Sequence, residues 1–143
     1  MTPIVISLHS KYAEAILTQS KTRELRRSFP SVTPGTKVYI YVTAPASAIV
    51  GSFTAGDCAD QSPEEVWAQF QTDLGMSREA FAGYTKGRTS VKAFAVKEPR
   101  RLRRPVPRAE AAGVSPGWHP PQSFRYVRDS NLQDHLSRLA QSG

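Results

Sequence analysis

The sequence predicts an α+β domain built on a small β-barrel, and three observations support this fold class. Short segments with the two-residue alternation of β-strands are interspersed with helical segments along the chain. The 11 prolines and 9 glycines are scattered between these segments, where they are typical of turns. The hydrophobic fraction of 39% is enough for one core, and a length of 143 residues leaves little room for a second domain.

The N-terminal part of the chain predicts a strand, a helix and a second strand. Residues 3–9 alternate between two faces, which indicates a half-buried strand. Ser10 is a candidate helix cap, and the apolar spacing after it predicts a helix that ends near Ser20. Residues 22–28 predict a second strand, which is unusually polar.

Two further strands follow a turn. A proline and a glycine within residues 33–36 are typical of a turn, since proline presets φ and glycine accepts a positive φ. Residues 37–43 alternate between an aliphatic face and a more polar face that carries Tyr41. Residues 48–54 predict the next strand.

A pair of helices is predicted next. Ser62 can cap the first helix, Pro63 suits its first position, and Glu65 completes a capping box. Apolar residues at helical spacing continue from there to Gly75. Ser77 begins a shorter helix, which ends at Gly87.

The C-terminal part predicts a strand at residues 90–97, a short helix at 109–112, an extended segment at 122–127 and a terminal helix. Asp129 or Ser130 caps the terminal helix, which is predicted to reach Gln141 with its leucines on one face. We expect this helix to pack on the domain. The same leucine face is compatible with docking a protein partner.

The charge distribution predicts a polyanionic partner. The formal net charge is +7, and residues 86–108 carry nine basic side chains against one acidic side chain. The strongest feature is the group formed by Arg100, Arg101, Arg103 and Arg104, whose charges project to both sides of an extended chain. The alternative is that these arginines are ordinary surface residues, which explains the total charge but not the clustering.

Several classes of protein have no support in the sequence. Cys58 is the single cysteine, so no disulfide forms within the chain, and the three histidines are far apart. We therefore expect neither a metal nor a cofactor. No apolar run approaches ~20 residues, and residues 1–8 lack the basic leader of a signal peptide. We expect no membrane partner and a cytoplasmic location.

A charged segment at residues 20–27 carries the most informative pattern. In a strand, Thr22, Glu24 and Arg26 share one face, where apolar residues are normally expected. Charges that face a barrel interior or a cleft are costly unless they pair or meet a ligand. The alternative is an edge strand whose charges discourage aggregation. The pattern alone leaves both interpretations open.

This segment resembles the signature of the ASCH family, Gly-x-Lys-x-x-Glu-x-Arg, which follows a first strand and helix. Lys21, Glu24 and Arg26 match the signature, whereas Gln19 stands where the glycine would be. A turn without glycine predicts a negative φ at Gln19. Two further stretches resemble the family, namely residues 38–43 with 50–53 and residues 120–126, so the resemblance extends from about Ile4 to Val127.

The resemblance implies a PUA-like β-barrel with flanking helices over residues 1–128, with residues 129–143 as the C-terminal helix. It also implies a cleft lined by the lysine motif and a role in RNA binding, transcription coactivation or RNA processing. Some members resemble ribonucleases. One subgroup hydrolyses the acetyl amide of an acetylated cytidine nucleoside, with a threonine nucleophile at the position of Glu24. Thr22 lies on the face of Glu24, about 7 Å away by the rise of a strand.

Candidate site residues follow from these observations. Lys21 and Glu24 are the candidate catalytic pair, as electrostatic stabiliser and general base for RNA cleavage, with His9 as a proton carrier. Tyr84 and Phe124 are additional candidates for stacking on a base, although Phe124 also suits a core position. The candidate nucleic-acid-binding residues supply phosphate donors or stacking rings: Lys21, Arg26, Arg27, Tyr41, Arg100, Arg101, Arg103, Arg104, Ser123, Arg125 and Tyr126.

Three functions remain open at this point. The first is a reader of RNA, of another single-stranded nucleic acid or of a nucleotide. The second is a hydrolase that acts on RNA or on a modified nucleoside. The third is a regulator whose terminal helix docks a protein.

Overall fold

The computed structural model describes residues 1–140 and confirms the α+β class. These residues form six strands and five helices. Their bounds are β1 (Ile4–Leu8), α1 (Ser10–Leu17), β2 (Arg23–Arg26), β3 (Lys37–Val42), β4 (Ala48–Gln61), α2 (Pro63–Phe70), α3 (Arg78–Thr85), β5 (Val91–Pro107), α4 (Arg108–Val114), β6 (Phe124–Tyr126) and α5 (Ser130–Ala140).

The strands form one mixed sheet in the order β2-β5-β4-β3-β1-β6, which curves into a half-barrel. Strands β1 and β3 are parallel, with Ile6 opposite Ile40, whereas the other neighbours are antiparallel. The two edge strands approach each other at one end of the sheet. Arg26 on β2 donates from Nη1 to the hydroxyl of Ser123, 3.2 Å away and next to β6, and from Nη2 to the Ser7 carbonyl on β1, 3.4 Å away.

The expectation of a half-buried first strand is wrong, because β1 is covered on both faces. Ile4, Ile6 and Leu8 pack in a cluster that α1 closes, whereas Val5 packs in a second cluster with Leu132. The second cluster contains buried side chains of α4 and α5. Helices on both sides of the sheet therefore remove the polar face that alternation alone predicts.

The predicted starts of the helical pair are confirmed. The Ser62 hydroxyl accepts a hydrogen bond from the Glu65 amide at 3.2 Å, and Glu65 Oε1 accepts from the Ser62 amide at 3.3 Å. The Ser77 hydroxyl accepts from the Ala80 amide at 3.1 Å. The prediction for α1 is wrong by one residue, since His9 is the cap residue and its side chain makes no capping hydrogen bond.

Strands β4 and β5 are much longer than their patterns predict, with 14 and 17 residues. Their pairing shifts register at three places, between Ile49 and Gly51, between Ser52 and Thr54, and between Ala55 and Cys58. Each irregularity interrupts the two-residue alternation from which strands are recognised in a sequence. The basic stretch of residues 100–104 therefore lies inside β5.

The C-terminal helix begins where the sequence predicts. Asp129 Oδ1 accepts a hydrogen bond from the Asn131 amide at 2.8 Å, and the buried Leu132 and Leu136 pack on the side of the sheet that carries Tyr39. The predicted end at Gln141 lies outside the described residues. Within residues 1–140, the helices are all too short or too polar to cross a membrane.

Candidate nucleic-acid site

A cavity of about 590 Å³ opens between the charged strand β2, the end of β1 and helices α1 and α3. This volume suits a small organic ligand of nucleotide size. Two tyrosine rings contribute to its wall, one from α1 and one from α3. The lining residues are Ser7, Leu8, His9, Tyr12, Lys21, Glu24, Leu25, Arg26, Thr43, Met76, Ala80, Tyr84 and Gln122.

Three charged side chains of the ASCH-like motif meet in this cavity. Lys21, Glu24 and Arg26 are only 2%, 3% and 7% exposed. The Glu24 carboxylate lies between the two cations, with Oε1 3.5 Å from Lys21 Nζ and Oε2 2.9 Å from Arg26 Nε. The contact with Arg26 Nε is a charge contact without the geometry of a hydrogen bond. One carboxylate and two cations leave a net positive charge in a largely desolvated site.

Lys21 is fixed in place from several directions. Its ammonium donates to the Leu74 carbonyl at 2.5 Å and lies 5.5 Å from the centre of the Tyr12 ring. Burial lowers the pKa of Lys21 below its ordinary value of 10.5, and the nearby Glu24 carboxylate opposes this change only in part. One ammonium donor bonds to the Leu74 carbonyl, and the Glu24 carboxylate lies 3.5 Å away.

The loop between α2 and α3 holds the motif against the sheet. The amides of Thr22 and Arg23 both donate to the Asp73 carbonyl, at 2.9 and 3.0 Å. Gly75 has a φ of +64°, and a Cβ at this position would lie only 2.8 Å from the Lys21 Cβ. A glycine is therefore required both by the backbone conformation and by the close approach to Lys21.

The entry to the motif differs from the sequence expectation. Gln19 has a φ of +66°, which is the left-handed region, and not the negative φ expected of a turn without glycine. Its amide donates to the Ile16 carbonyl at 3.1 Å, and two residues later the Lys21 amide donates to the Ala15 carbonyl at 2.9 Å. The turn keeps the left-handed geometry that glycine adopts most easily, although a glutamine occupies the position.

The structure corrects the expected positions of one tyrosine and one threonine. Tyr41 was expected to face the cleft, but it is buried on the opposite side of the sheet, 6.0 Å from the Trp118 ring. The helices on that side bury the face of β3 that alternation marks as polar. Thr22 does not line the cavity either, because it precedes β2 and its hydroxyl donates to the Asp73 carboxylate at 3.1 Å.

The C-terminal candidates lie in different surroundings. Ser123 contacts the cavity through its hydrogen bond with Arg26. Arg125 and Tyr126 line a separate pocket, and the Arg125 guanidinium donates to the His119 carbonyl at 3.0 Å. Phe124 packs on Phe29 with ring centres 4.9 Å apart, in agreement with its core interpretation.

The basic stretch of β5 does not join the cavity. Arg101 forms an ion pair with Glu14, and Arg104 with Glu110 at 2.7 Å. Arg103 donates to a backbone carbonyl of α5 at 3.4 Å, while Arg100 is exposed. Two of the four predicted phosphate contacts thus have carboxylate partners on the protein itself. Arg27, in contrast, is exposed beside the cavity wall, 5.9 Å from the Tyr84 ring centre.

Several cavity residues could not be recognised from the sequence. Tyr12 was assigned to the apolar stripe of α1, and Met76 is a loop residue without a motif. Thr43 follows β3 and places its hydroxyl 3.5 Å from His9 Nδ1, so the His9 ring lies on the cavity wall beside a hydroxyl group. No group of three metal-binding side chains occurs among residues 1–140.

Comparisons with known proteins agree with this fold. No family model matches the chain. A protein of Zymomonas mobilis named ASCH domain-containing ribonuclease is 25% identical over 137 residues, which cover 96% of this chain and 92% of that protein. The crystal structure of ASCH from Zymomonas mobilis has a TM-score of 0.90 at 24% identity, covering 98% of this chain and 97% of that one.

A more distant neighbour is human THYN1, solved in complex with DNA that contains 5-methylcytosine. Its TM-score is 0.58 at 11% identity, with both chains covered completely. At such identities the solved structures establish the fold, which is the PUA-like barrel. The likeness to the ASCH proteins of Zymomonas mobilis extends over nearly the whole chain, so this protein shares their fold.

Proposed function

We propose that this protein binds single-stranded RNA and holds one nucleotide in the cavity formed by β2, α1 and α3. The observation that carries the proposal is the buried Lys21–Glu24–Arg26 group, which presents net positive charge in a cavity of nucleotide size. The name of the Zymomonas relative and the DNA bound to human THYN1 support a nucleic-acid ligand.

The cavity offers the two kinds of contact that a nucleotide requires. Arg26 makes long hydrogen bonds of 3.2 and 3.4 Å with Ser123 and Ser7, which a phosphate oxygen can replace with shorter, charge-assisted bonds. The rings of Tyr12 and Tyr84 supply surfaces for stacking on a base. Glu24 orients both cations and thus acts as a positioning residue.

Removal of the Arg26 charge tests the proposal. We expect Arg26→Gln to weaken binding of a labelled RNA by about tenfold to a hundredfold, because a charge-assisted phosphate contact contributes about 1.5–3 kcal/mol. The affinity is measured by fluorescence anisotropy at fixed salt. Arg23→Gln is the matched control, since Arg23 lies on the same strand but pairs with Asp57 outside the cavity. Equal affinities of wild type and Arg26→Gln, with both proteins folded, would refute the proposal.

Ribonuclease activity is the second candidate, and the name of the Zymomonas relative favours it. Both oxygens of Glu24 already contact cations, so His9 is better placed than Glu24 to accept a proton. In this reaction the RNA 2′-hydroxyl loses its proton to His9 and attacks the adjacent phosphorus. The bond to the 5′ oxygen breaks, which leaves a 2′,3′-cyclic phosphate, and the 5′ oxygen takes a proton from water. Lys21 stabilises the charge on the phosphorane.

A comparison of histidine variants tests this second function. We expect His9→Ala to reduce RNA cleavage about a hundredfold, which is the low end of the usual effect of a general base or acid, with unchanged RNA affinity. Cleavage of end-labelled RNA is followed on gels. His119→Ala is the control, since His119 is exposed and lies outside the cavity. The same rate for all three proteins would indicate a contaminating nuclease and remove this candidate.

A further inference from the structure

A second groove lies on the other side of α3, and its chemistry matches that of the cavity. We propose that an RNA strand held in the cavity crosses α3 and stacks its next accessible base on Trp67. This inference rests on the proposed function, because the cavity must first hold a nucleotide. The groove, called here the Trp67 groove, has a volume of about 290 Å³ and is lined by Trp67, Arg78, Phe81, Lys86 and Arg88, among others.

The cavity and the Trp67 groove are separated by a single helix. Ala80 and Tyr84 of α3 line the cavity, whereas Phe81 and Thr85 of the same helix line the groove. An α-helix with its side chains is about 10–12 Å across, so a strand that leaves the cavity reaches the groove within a few nucleotides.

Two arginines form a positively charged connection over this helix. Arg27 follows β2 directly, and its guanidinium lies 5.9 Å from the centre of the Tyr84 ring. Arg88 donates to the Arg27 carbonyl at 2.7 Å and also lines the Trp67 groove. A phosphate backbone that follows Arg27 and Arg88 therefore passes from the cavity to the groove along donors.

The cations on this path differ from those of β5 in their partners. Within residues 1–140, no ion pair involves Arg27, Arg78, Lys86 or Arg88, and all four are exposed. Glu64 is the carboxylate that lines the groove, so the path keeps a positive charge. Arg101 and Arg104 are instead paired with Glu14 and Glu110. Exposed cations without carboxylate partners bind phosphates with less competition from the protein.

Trp67 has the properties of a stacking platform. Its ring is half-buried and packs on Phe81 with ring centres 5.0 Å apart, while the Arg78 guanidinium lies 5.4 Å from its centre. A supported aromatic ring with an adjacent arginine is the arrangement by which single-stranded nucleic acids are held without sequence preference.

Tryptophan fluorescence tests the path directly. The chain has two tryptophans, so the variant Trp118→Phe leaves Trp67 as the single reporter. We expect an RNA of about eight nucleotides, within the site size of strand-tracking folds, to quench this fluorescence. Uridine monophosphate should bind in the cavity, as shown by competition with labelled RNA, without quenching. Quenching by the mononucleotide at saturation of the cavity would overturn the path.

Affinity measurements separate this inference from the proposed function. We expect Trp67→Leu to weaken binding of the oligonucleotide about tenfold and to leave binding of uridine monophosphate unchanged. Lys86→Gln should lower the salt dependence of oligonucleotide binding, whereas Arg138→Gln, on α5 and outside both the cavity and the Trp67 groove, should not. If oligonucleotide binding depends on Arg26 but on neither Trp67 nor Lys86, the proposed path is wrong, while the proposal of a nucleotide in the cavity is retained. If binding does not depend on Arg26, the proposed function itself fails.

Discussion

Glu24→Gln is expected to lower the free energy of unfolding by about 3 kcal/mol, because it leaves two buried cations without their carboxylate. Lys21 and Arg26 are 2% and 7% exposed, and the nearest atoms of Glu24 lie 3.5 and 2.9 Å from their nitrogens. The estimate is at the low end of the range for broken buried pairs, since the group borders an open cavity. Urea-induced unfolding of both proteins, with equal slopes, measures the difference.

The matched control is the ion pair between Arg23, on the same strand as Glu24, and the exposed Asp57 on β4. Asp57→Asn removes the partner of Arg23, but Asp57 is 72% exposed, so we expect a loss of less than about 1 kcal/mol. A second comparison uses Lys21→Met, which removes one of the two cations. In the Lys21→Met background, the loss of unfolding free energy caused by Glu24→Gln should be about 1–2 kcal/mol smaller than in the wild type, because only one buried cation remains without its carboxylate. Equal losses from Glu24→Gln and Asp57→Asn would show that the motif is effectively solvated.

Gly75→Ala is expected to destabilise the protein by about 3 kcal/mol and to weaken RNA binding. The left-handed conformation of Gly75, with a φ of +64°, costs an alanine about 1–2 kcal/mol. The added methyl group would lie 2.8 Å from the Lys21 Cβ, and such overpacking typically costs about 1–3 kcal/mol. Lys21 must move to relieve the contact, which displaces its ammonium from the cavity wall.

Gly117→Ala separates these two contributions. Gly117 also has a positive φ, of +85°, but no atom lies within 4 Å of its added Cβ. We expect a loss of about 1 kcal/mol from the backbone conformation alone and an unchanged RNA affinity. Thermal unfolding and fluorescence anisotropy provide the two measurements. If Gly75→Ala and Gly117→Ala behaved alike in both, the close approach of Gly75 to Lys21 would have no energetic consequence.

The sequence predicts the centre of the candidate site but not its surroundings. Glu24 and Arg26 stand out because they occupy a strand face where apolar residues are expected, and Lys21 stands out because it matches the ASCH signature. The structure brings all three together. The loop that holds Lys21 was visible only as the end of a helix at Gly75. Its contacts join residues more than fifty positions apart, so no local pattern contains them.

The structure also changes the interpretation of residues 100–104 as phosphate-binding candidates. In the sequence, Arg101 and Arg104 are the clearest phosphate-binding candidates, because nearby acidic residues are few. Glu14 and Glu110 approach them only after folding. Arg27 and Arg88 are less conspicuous in the sequence, but Arg27 lies beside the cavity and Arg88 lines the Trp67 groove.

What the sequence determined by itself is local. Helix starts such as Ser62 and Ser77, and the turn at residues 33–36, depend on side chains that bond to backbone groups a few positions away, so a short segment contains all the information. Tertiary structure alone decided which strand faces are covered, since β1 and the Tyr41 side of β3 are buried by helices from distant parts of the chain. It also decided that the motif cations surround a cavity, because the edge strands β2 and β6 meet only when the sheet curves.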